Sequence, residues 1–324
     1  MKVLITGGAG FIGSHLVEYH LKQNDIVHII DNLSSGQKSN INQWRENDNF
    51  NFIEADLLTC DDLCNILSQV DRVYHFAAMV GMFRVLEAPV ATLDVNLLGL
   101  RRILEFIKKQ TKKPLVIVAS SSEVYGNQKI KLSESTPLII ENSSKSHAAY
   151  AISKMCNESM AMAYFQQYGI PCIVARIFNT IGPRQTGRYG MVVPRFVNQA
   201  LNNEPITIFA NGEQQRSFCD VRDLVGLIMG LCDNSKAIGQ IVNVGNAQTI
   251  TIKSLAELVK SLIPNCSSAL TYTPYNEVYN AGYIVIEERI IDTAKLAQLS
   301  AYRPRFTLKD TIVDMISGYQ PTLA

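Results

Sequence analysis

The sequence predicts an α/β protein with a doubly wound parallel sheet and a second, smaller lobe. Two observations predict this fold class. Through the first half of the chain, short β-branched segments alternate with longer helix-like segments, and a glycine-rich turn follows the first short segment. Alternating strands and helices form parallel sheets whose crossover connections are right-handed. The 324 residues are enough for about two domains of ordinary size.

The predicted strands of this sheet are short, apolar and bounded by polar residues or glycine. They are Lys2–Thr6, Ile26–Ile30, Asn51–Ile53, Arg72–Phe76, Leu115–Ala119 and Pro171–Arg176. The helix-like segments among them are Phe11–Gln23, Asp61–Gln69, Pro89–Lys109 and Ser146–Tyr168. In chain order these segments form successive strand–helix–strand units.

The second half of the chain is less regular. It contains a predicted strand at Pro205–Phe209 and a predicted helix at Lys253–Leu262, which Thr251 caps. The composition changes near Asn179. We therefore expect residues 1–178 to form the domain with the parallel sheet, which also receives part of 217–245, and residues 179–324 to form mainly the smaller lobe.

The composition excludes several classes of protein. With 47% hydrophobic and 18% charged residues, it is typical of a globular chain. The 30 Lys and Arg residues nearly balance 29 Asp and Glu residues, so we expect no nucleic-acid partner. No segment approaches the roughly 20 apolar residues of a membrane span. The seven cysteines are odd in number and scattered, which favours reduced thiols, a cytoplasmic location and no metal site.

A glycine-rich turn follows the first predicted strand and begins the first predicted helix. Its sequence, GAGFIG at Gly8–Gly13, allows a tight turn and a close approach of the backbone to a pyrophosphate at the helix N-terminus. Asp31 ends the second predicted strand, where a carboxylate accepts hydrogen bonds from an adenosine ribose and repels a 2′-phosphate. The sequence therefore predicts a dinucleotide site of the Rossmann type that binds NAD rather than NADP.

Tyr150 and Lys154 lie four residues apart on a predicted helix, so both project from one face. We expect the ammonium group, together with a nicotinamide ring, to lower the pKa of the phenol toward neutral pH. A serine-rich segment, Ser120–Gly126, follows the strand Leu115–Ala119 at the carboxyl edge of the predicted sheet. A serine hydroxyl there would hold a sugar oxygen while Tyr150 removes its proton.

In the order and spacing of these motifs, the chain resembles the extended short-chain dehydrogenases/reductases, specifically the nucleotide-sugar epimerases and dehydratases. The resemblance covers nearly the whole chain, from TGGAGFIG at Thr6–Gly13 through DNLSSG at Asp31–Gly36 to YAISK at Tyr150–Lys154. It implies a nucleotide-sugar substrate for the smaller lobe. It also implies a homodimer through the helices near Pro89–Lys109 and Ser146–Tyr168.

The resemblance carries over to individual positions of this sequence. The implied catalytic residues are Ser121, Glu123, Tyr150 and Lys154. The implied cofactor site consists of Gly7, Gly10, Phe11, Ile12, Gly13, Asp31, Asn32, Ser35, Gly36, Asp56, Leu57, Phe76, Ala77, Ala78, Asn96, Tyr150 and Lys154. The expected substrate site consists of Ser122, Asn179, Arg188, Val192, Thr207, Phe209, Arg216 and Arg289. Arg184 and Arg188 lie in one loop and either contact a charged sugar or the diphosphate, or are solvated.

Members of this family oxidise carbon 4 of the sugar with NAD⁺ and then act on the 4-keto intermediate. Glu123 follows Ser121 and Ser122, so it is a candidate base at carbon 5 or a carboxylate that orients the substrate. This pattern favours a lyase that dehydrates or decarboxylates a nucleotide sugar. The alternative is a nucleotide-sugar 4-epimerase of the UDP-glucose type. A non-catalytic dinucleotide-sensing regulator is a remote alternative, because such a protein would lose the Tyr150–Lys154 pair.

Overall fold

A parallel sheet of seven strands, in the order β12-β7-β5-β4-β1-β2-β3, forms the larger part of the protein. The computed structural model describes residues 1–140, 142–146, 148–187, 191–278 and 288–318. The strands of the large sheet are β1 (Lys2–Thr6), β2 (Ile26–Asp31), β3 (Phe50–Glu54), β4 (Arg72–His75), β5 (Leu115–Ser121), β7 (Cys172–Ile177) and β12 (Gln240–Val244). The order reverses between β1 and β4, which is where open α/β sheets bind ligands.

Helices cover both faces of the large sheet, because its strands are apolar on both sides. On β1, Val3 and Ile5 pack into one core, while Leu4 between them packs into the other. The first face carries α1 (Phe11–Lys22), α7 (Val221–Cys232) and α10 (Ala294–Leu299). The second face carries α2 (Leu63–Leu67), α4 (Pro89–Lys108) and α5 (Ala148–Tyr168), and the short α3 (Met82–Glu87) precedes α4.

The smaller lobe has its own apolar core and shorter strands. One sheet has the order β13-β10-β15-β6, and two further pairs are β11 with β8 and β14 with β9. These strands are β6 (Lys131–Leu132), β8 (Thr180–Ile181), β9 (Ile206–Phe209), β10 (Gln215–Ser217), β11 (Cys219–Asp220), β13 (Thr249–Thr251), β14 (Leu270–Thr273) and β15 (Glu288–Ile291). The helices of this part are α6 (Val192–Leu201), α8 (Ile252–Ser261), α9 (Tyr275–Val278) and α11 (Leu308–Ser317). Within the described ranges, every helix is too short or too polar to cross a bilayer.

The elements predicted from the sequence are confirmed, with small differences at their ends. The predicted helix Asp61–Gln69 is shorter, at Leu63–Leu67. The Thr251 hydroxyl accepts a hydrogen bond of 3.1 Å from the Ser254 amide, so the predicted cap of α8 is confirmed. The predicted parallel, doubly wound fold class is likewise confirmed.

Candidate active site

A cavity of ≈ 800 Å³ opens at the carboxyl edge of the large sheet. Its walls are formed by residues that end or follow β1, β2, β4, β5 and β7, and by residues of α5. From the smaller lobe, the first turn of α6 and two arginines, Arg216 and Arg289, complete the wall. These arginines lie side by side on β10 and β15, whose register pairs them directly. A cavity of this size is within the usual range for small-ligand and cofactor sites.

The glycine turn between β1 and α1 forms one end of the cavity. Gly7 has φ +76°, and a Cβ on it would lie 2.8 Å from the Ala77 amide nitrogen. A Cβ on Gly13 would overlap the Gly7 carbonyl oxygen. No described side chain caps the first turn of α1, whose N-cap is Gly10. The first helical residues, Phe11, Ile12 and Gly13, line the cavity without a side-chain cap, which suits the pyrophosphate of a dinucleotide.

Asp31 lies next to this turn, at the end of β2. Its carboxylate accepts hydrogen bonds from the backbone amides of Ala9 (3.0 Å) and Leu33 (2.8 Å), and burial raises its pKa. Gly36 packs so closely against this carboxylate that a Cβ at this position would lie only 2.9 Å from both carboxylate oxygens. The backbone contacts fix the carboxylate at the cavity wall, where it suits a ribose.

Three catalytic candidates meet at the other end of the cavity. Ser121 ends β5, and its hydroxyl accepts a hydrogen bond of 3.2 Å from the Glu123 amide, which caps the short 3-10 turn Ser122–Tyr125. The Ser121 hydroxyl is also hydrogen-bonded to the Tyr150 phenol. On the same helix, Lys154 Nζ lies 5.8 Å from the centre of the Tyr150 ring. The structure thus brings a phenol, an ammonium and a hydroxyl into one site.

Burial shifts the pKa of both Tyr150 and Lys154. Burial raises the pKa of Tyr150 to about 12, and although the Ser121 hydrogen bond lowers it, the charge of Glu123 raises it further. Lys154 Nζ donates to the Ala119 carbonyl (2.8 Å), and burial lowers the pKa of Lys154 to about 8. With these neighbours alone, the phenol is therefore protonated at neutral pH, and the lowering of its pKa by the ammonium together with a nicotinamide ring stays a prediction.

Glu123 and Arg289 form an ion pair at this end of the cavity. Arg289 is 2% exposed, whereas the Glu123 side chain is 41% exposed and faces the opening. Arg289 also approaches the Ser122 hydroxyl and the Gly126 carbonyl, both at 3.4 Å. Its Nε has no hydrogen-bond partner among the described residues. Because the two residues are far apart in sequence, no spacing motif predicts this pair.

Most of the residues expected from the sequence line the cavity. All four catalytic candidates do so, as do all expected cofactor residues except Gly36 and Asn96. Asn96 is buried behind the wall. Its side chain accepts from the Met79 amide (2.8 Å) and donates to the Ser153 hydroxyl (3.0 Å), so it holds a wall segment in place instead of facing the cavity.

Of the expected substrate residues, Ser122, Asn179, Val192, Arg216 and Arg289 line the cavity. Arg188 lies outside the described residues. Thr207 and Phe209 do not line it, and both contact Arg195 of α6. The Arg195 guanidinium lies 4.0 Å from the centre of the Phe209 ring and donates to the Thr207 carbonyl (3.1 Å).

Arg184 also differs from expectation. Its guanidinium pairs with Glu18 and approaches the Ser14 hydroxyl (3.3 Å), both on α1. Arg184 thus ties the loop after β8 to α1, and it is neither a cavity residue nor a solvated one.

Several apolar residues of the wall carry no sequence motif that would predict them. They are Val80, Val85, Ile139, Ile140 and Met191. These residues lie in loops or short helices without a motif, and only the tertiary fold brings them to the cavity.

Comparison with known proteins places this geometry in context. The NAD dependent epimerase/dehydratase family matches residues 3–245 of this chain. The UDP-N-acetyl-alpha-D-glucosaminuronate decarboxylase of Bacillus cytotoxicus is 34% identical over 316 residues, which is 96% of each chain. UDP-glucuronic acid decarboxylase 1 of Arabidopsis thaliana is 32% identical over 99% of this chain and 70% of its own length.

Among solved structures, a similar one is the UDP-glucuronic acid 4-epimerase of Bacillus cereus in complex with UDP-glucuronic acid and NAD. It has a TM-score of 0.87 and 27% sequence identity, and the similarity covers 98% of each chain. Relatives of more than one reaction type thus share this fold.

Proposed function

Because this chain belongs to the NAD dependent epimerase/dehydratase family, we propose that it decarboxylates a UDP-linked uronic acid. Like its relatives in this family, it is an NAD-dependent enzyme that modifies a nucleotide sugar. The choice of decarboxylation and of a uronic acid is our proposal.

The observation that carries this proposal is the Glu123–Arg289 pair at the catalytic end of the cavity. The Arg289 guanidinium, which is buried at the cavity wall, suits a planar carboxylate. Glu123 would place a negative charge next to that carboxylate. The two carboxylates repel each other, and this repulsion is relieved as neutral CO₂ leaves. The repulsion therefore raises the free energy of the ground state more than that of the transition state. A simple proton-transfer site of Ser, Tyr and Lys needs no such pair.

The residues present fit the cofactor. The glycine turn leaves no room for a Cβ at Gly7 or Gly13, and the first residues of α1 line the cavity. Asp31 would hold the adenosine ribose. When bound, NAD⁺ supplies the acceptor, and later the donor, of the hydride at carbon 4 of the sugar.

The chain itself handles the proton of the sugar 4-hydroxyl. Ser121 would hold the hydroxyl oxygen by a hydrogen bond, and Tyr150 would receive its proton. Because burial raises the pKa of Tyr150 to about 12, the phenol would first release its own proton to water and then, as a phenolate, take up the proton of the 4-hydroxyl. The ammonium of Lys154 would stabilise the phenolate that forms, since the two groups share one face of α5.

The 4-keto sugar that results is a β-keto acid. Its bond between carbon 5 and carbon 6 breaks, the electron pair moves toward the keto oxygen, CO₂ leaves, and carbon 5 takes up a proton. Arg289 would hold the carboxylate and Ser121 the developing negative charge on the keto oxygen. Ser122, Asn179, Val192 and Arg216, which also line the cavity, are the proposed contacts of the UDP-sugar.

A second candidate is 4-epimerisation of the same class of substrate. The Bacillus cereus epimerase, which is similar over 98% of each chain, supports it. Ser121, Tyr150 and Lys154 would suffice for this reaction if the keto sugar turned over before reduction.

Product identification distinguishes the candidates. The enzyme is incubated with UDP-glucuronate, UDP-N-acetylglucosaminuronate and UDP-glucose, and the nucleotide-sugar products are analysed by mass spectrometry and NMR. We expect a product from the uronates that has lost the mass of CO₂, and no dehydration of UDP-glucose. Unchanged mass with inverted configuration at carbon 4 would instead establish the epimerase, and loss of water would establish a dehydratase.

The cofactor preference gives a first prediction. Replacing Asp31 with Asn should weaken NAD⁺ binding by about tenfold to a hundredfold, because hydrogen bonds to a charged acceptor contribute about 1.5–3 kcal/mol. The relative affinity for NADP⁺ should rise, since the repelling charge is lost. Isothermal titration with both dinucleotides measures this. Asp71→Asn, at the opposite end of the sheet, is the control, and an unchanged NAD⁺/NADP⁺ ratio in Asp31→Asn would contradict the assigned role.

Three further assignments are proposals as well. Residues 1–178 with part of 217–245 would form the NAD-binding domain, and 179–324 mainly the nucleotide-sugar-binding domain, which agrees with the placement of β12 in the large sheet. A homodimer through α4 and α5 is supported by Val90 and Leu98, which are 71% and 45% exposed on α4. A cytoplasmic location is supported by the free thiols.

A further inference from the structure

A buried ionic cluster lies directly behind the catalytic residues. Glu158 on α5, one helical turn after Lys154, receives two hydrogen bonds from Arg176 on β7, from Nε (2.9 Å) and Nη2 (2.8 Å). It also accepts a hydrogen bond from the Ser120 hydroxyl. Glu158 and Arg176 are only 3% and 4% exposed. Neither lines the cavity, so neither contacts the substrate or the cofactor.

The cluster reaches the elements that carry the catalytic groups. Ser120 lies on β5 between Ala119, whose carbonyl accepts from Lys154, and Ser121. Arg176 is paired in register with Ser120 across β5 and β7.

The same arginine continues the cluster away from α5. Its Nη1 donates to the Tyr125 hydroxyl (2.8 Å), which donates to Asn243 on β12 (2.6 Å). Tyr125 ends the short turn that contains Glu123. One set of hydrogen bonds therefore links α5, the ends of β5 and β7, and this turn.

We propose that Glu158, held by Arg176, is a positioning residue of this active site: it fixes the end of β5 and supplies the negative charge that keeps Lys154 an ammonium. The proposal rests on the proposed function only where turnover is measured. A buried ion pair contributes little to stability compared with apolar residues of similar volume, so its presence here calls for a role beyond folding.

The groups around Lys154 support this role. The titratable and charged groups near it are Tyr150 and Glu158 on α5, His75 on β4, Glu123 after β5, and Arg176 on β7. Burial lowers the pKa of His75 to about 3, so His75 is neutral.

Burial lowers the pKa of Lys154 to about 8, and the charge of Glu158 opposes this change. Without that charge, Arg176 would remain as an unbalanced cation near Lys154. The lysine would then lose its proton at a lower pH.

The test compares Glu158→Gln with the wild type in two measurements. The first is the titration of the Lys154 side chain by NMR in protein labelled at the lysine ε-carbon, with Lys154→Met to assign the signal. The second is the dependence of kcat/KM on pH with the uronate substrate. We expect the Lys154 pKa and the alkaline limb of the profile to fall together by at least about one pH unit. Because the NMR titration needs no substrate, it separates failure of this proposal from failure of the proposed reaction.

Three further variants sharpen the result. Glu158→Asp keeps the charge, so its Lys154 pKa should stay near that of the wild type while kcat falls. Glu158→Gln with Arg176→Met removes both charges of the buried ion pair, so it carries the test if the single variant does not fold. Its Lys154 pKa should also lie below the wild-type value, because the charge of Glu158 is lost. Glu257→Gln, exposed on α8, is the control.

A Lys154 pKa that is the same in the charge-removing variants and the wild type would overturn the proposal. A loss of kcat/KM by one constant factor at all pH values would overturn it as well.

Discussion

Replacing Tyr150 with Phe should lower kcat by about 10²–10⁴-fold, the usual contribution of a positioned general acid or base. The substitution removes the hydroxyl that is hydrogen-bonded to Ser121 and leaves the ring in place. Binding of NAD⁺ and substrate should change little, so KM should stay within a few-fold of the wild type. Steady-state kinetics with the uronate substrate, together with titration of NAD⁺, measures both effects.

Tyr168→Phe is the matched control, because Tyr168 ends the same helix and does not line the cavity. Its kcat should equal that of the wild type. If Tyr150→Phe retained full turnover, the Ser–Tyr–Lys account would be wrong, and a non-catalytic, dinucleotide-sensing role would regain support.

Replacing Arg289 with Met should lower kcat/KM for uronates by about 30-fold or more, since removing a buried cation that is hydrogen-bonded to a carboxylate costs about 2 kcal/mol or more. The loss has two sources: the substrate carboxylate loses its cation, and Glu123 loses its partner. The effect should be specific to the acidic sugar. Binding of UDP, measured by titration calorimetry, should change much less.

Two companion variants separate charge from geometry. Arg289→Lys keeps the positive charge but loses the planar set of donors, so an intermediate effect is expected. Glu123→Gln should leave NAD⁺ binding unchanged and slow the loss of CO₂. Unaltered turnover in Glu123→Gln would remove that residue from the mechanism, and equal losses for uronate binding and UDP binding in Arg289→Met would assign the arginine to the diphosphate instead.

The sequence predicts well the placement of the glycine turn, Asp31 and the Tyr150–Lys154 pair at the cavity, because the signals for these residues are local. The glycine turn lies between a strand and a helix, and Gly13 tolerates no side chain for steric reasons that depend on the same short segment. Asp31 is predicted to hold the ribose because it is the acidic residue at the end of the next strand. Tyr150 and Lys154 share a helix face by their spacing alone.

The rest of the site depends on tertiary placement. Asn96 is expected from the sequence to contact the cofactor, yet its side-chain amide is hydrogen-bonded to Met79 and Ser153 behind the cavity wall. Arg184 forms an ion pair with Glu18 on α1, and no local sequence pattern indicates this pair. The pKa of Tyr150 follows from its burial, which sequence spacing does not report.

We propose that this enzyme removes carbon 6 of a UDP-linked uronic acid after transient oxidation at carbon 4. The most direct test of this proposal uses UDP-glucuronate labelled with ¹³C at carbon 6, incubated with the NAD-loaded enzyme, with NMR detection of the label. The account predicts that the label appears as CO₂ and bicarbonate in proportion to the nucleotide sugar consumed, and that Tyr150→Phe releases almost none. Label that stays entirely in the nucleotide sugar while the sugar changes configuration at carbon 4 would contradict it.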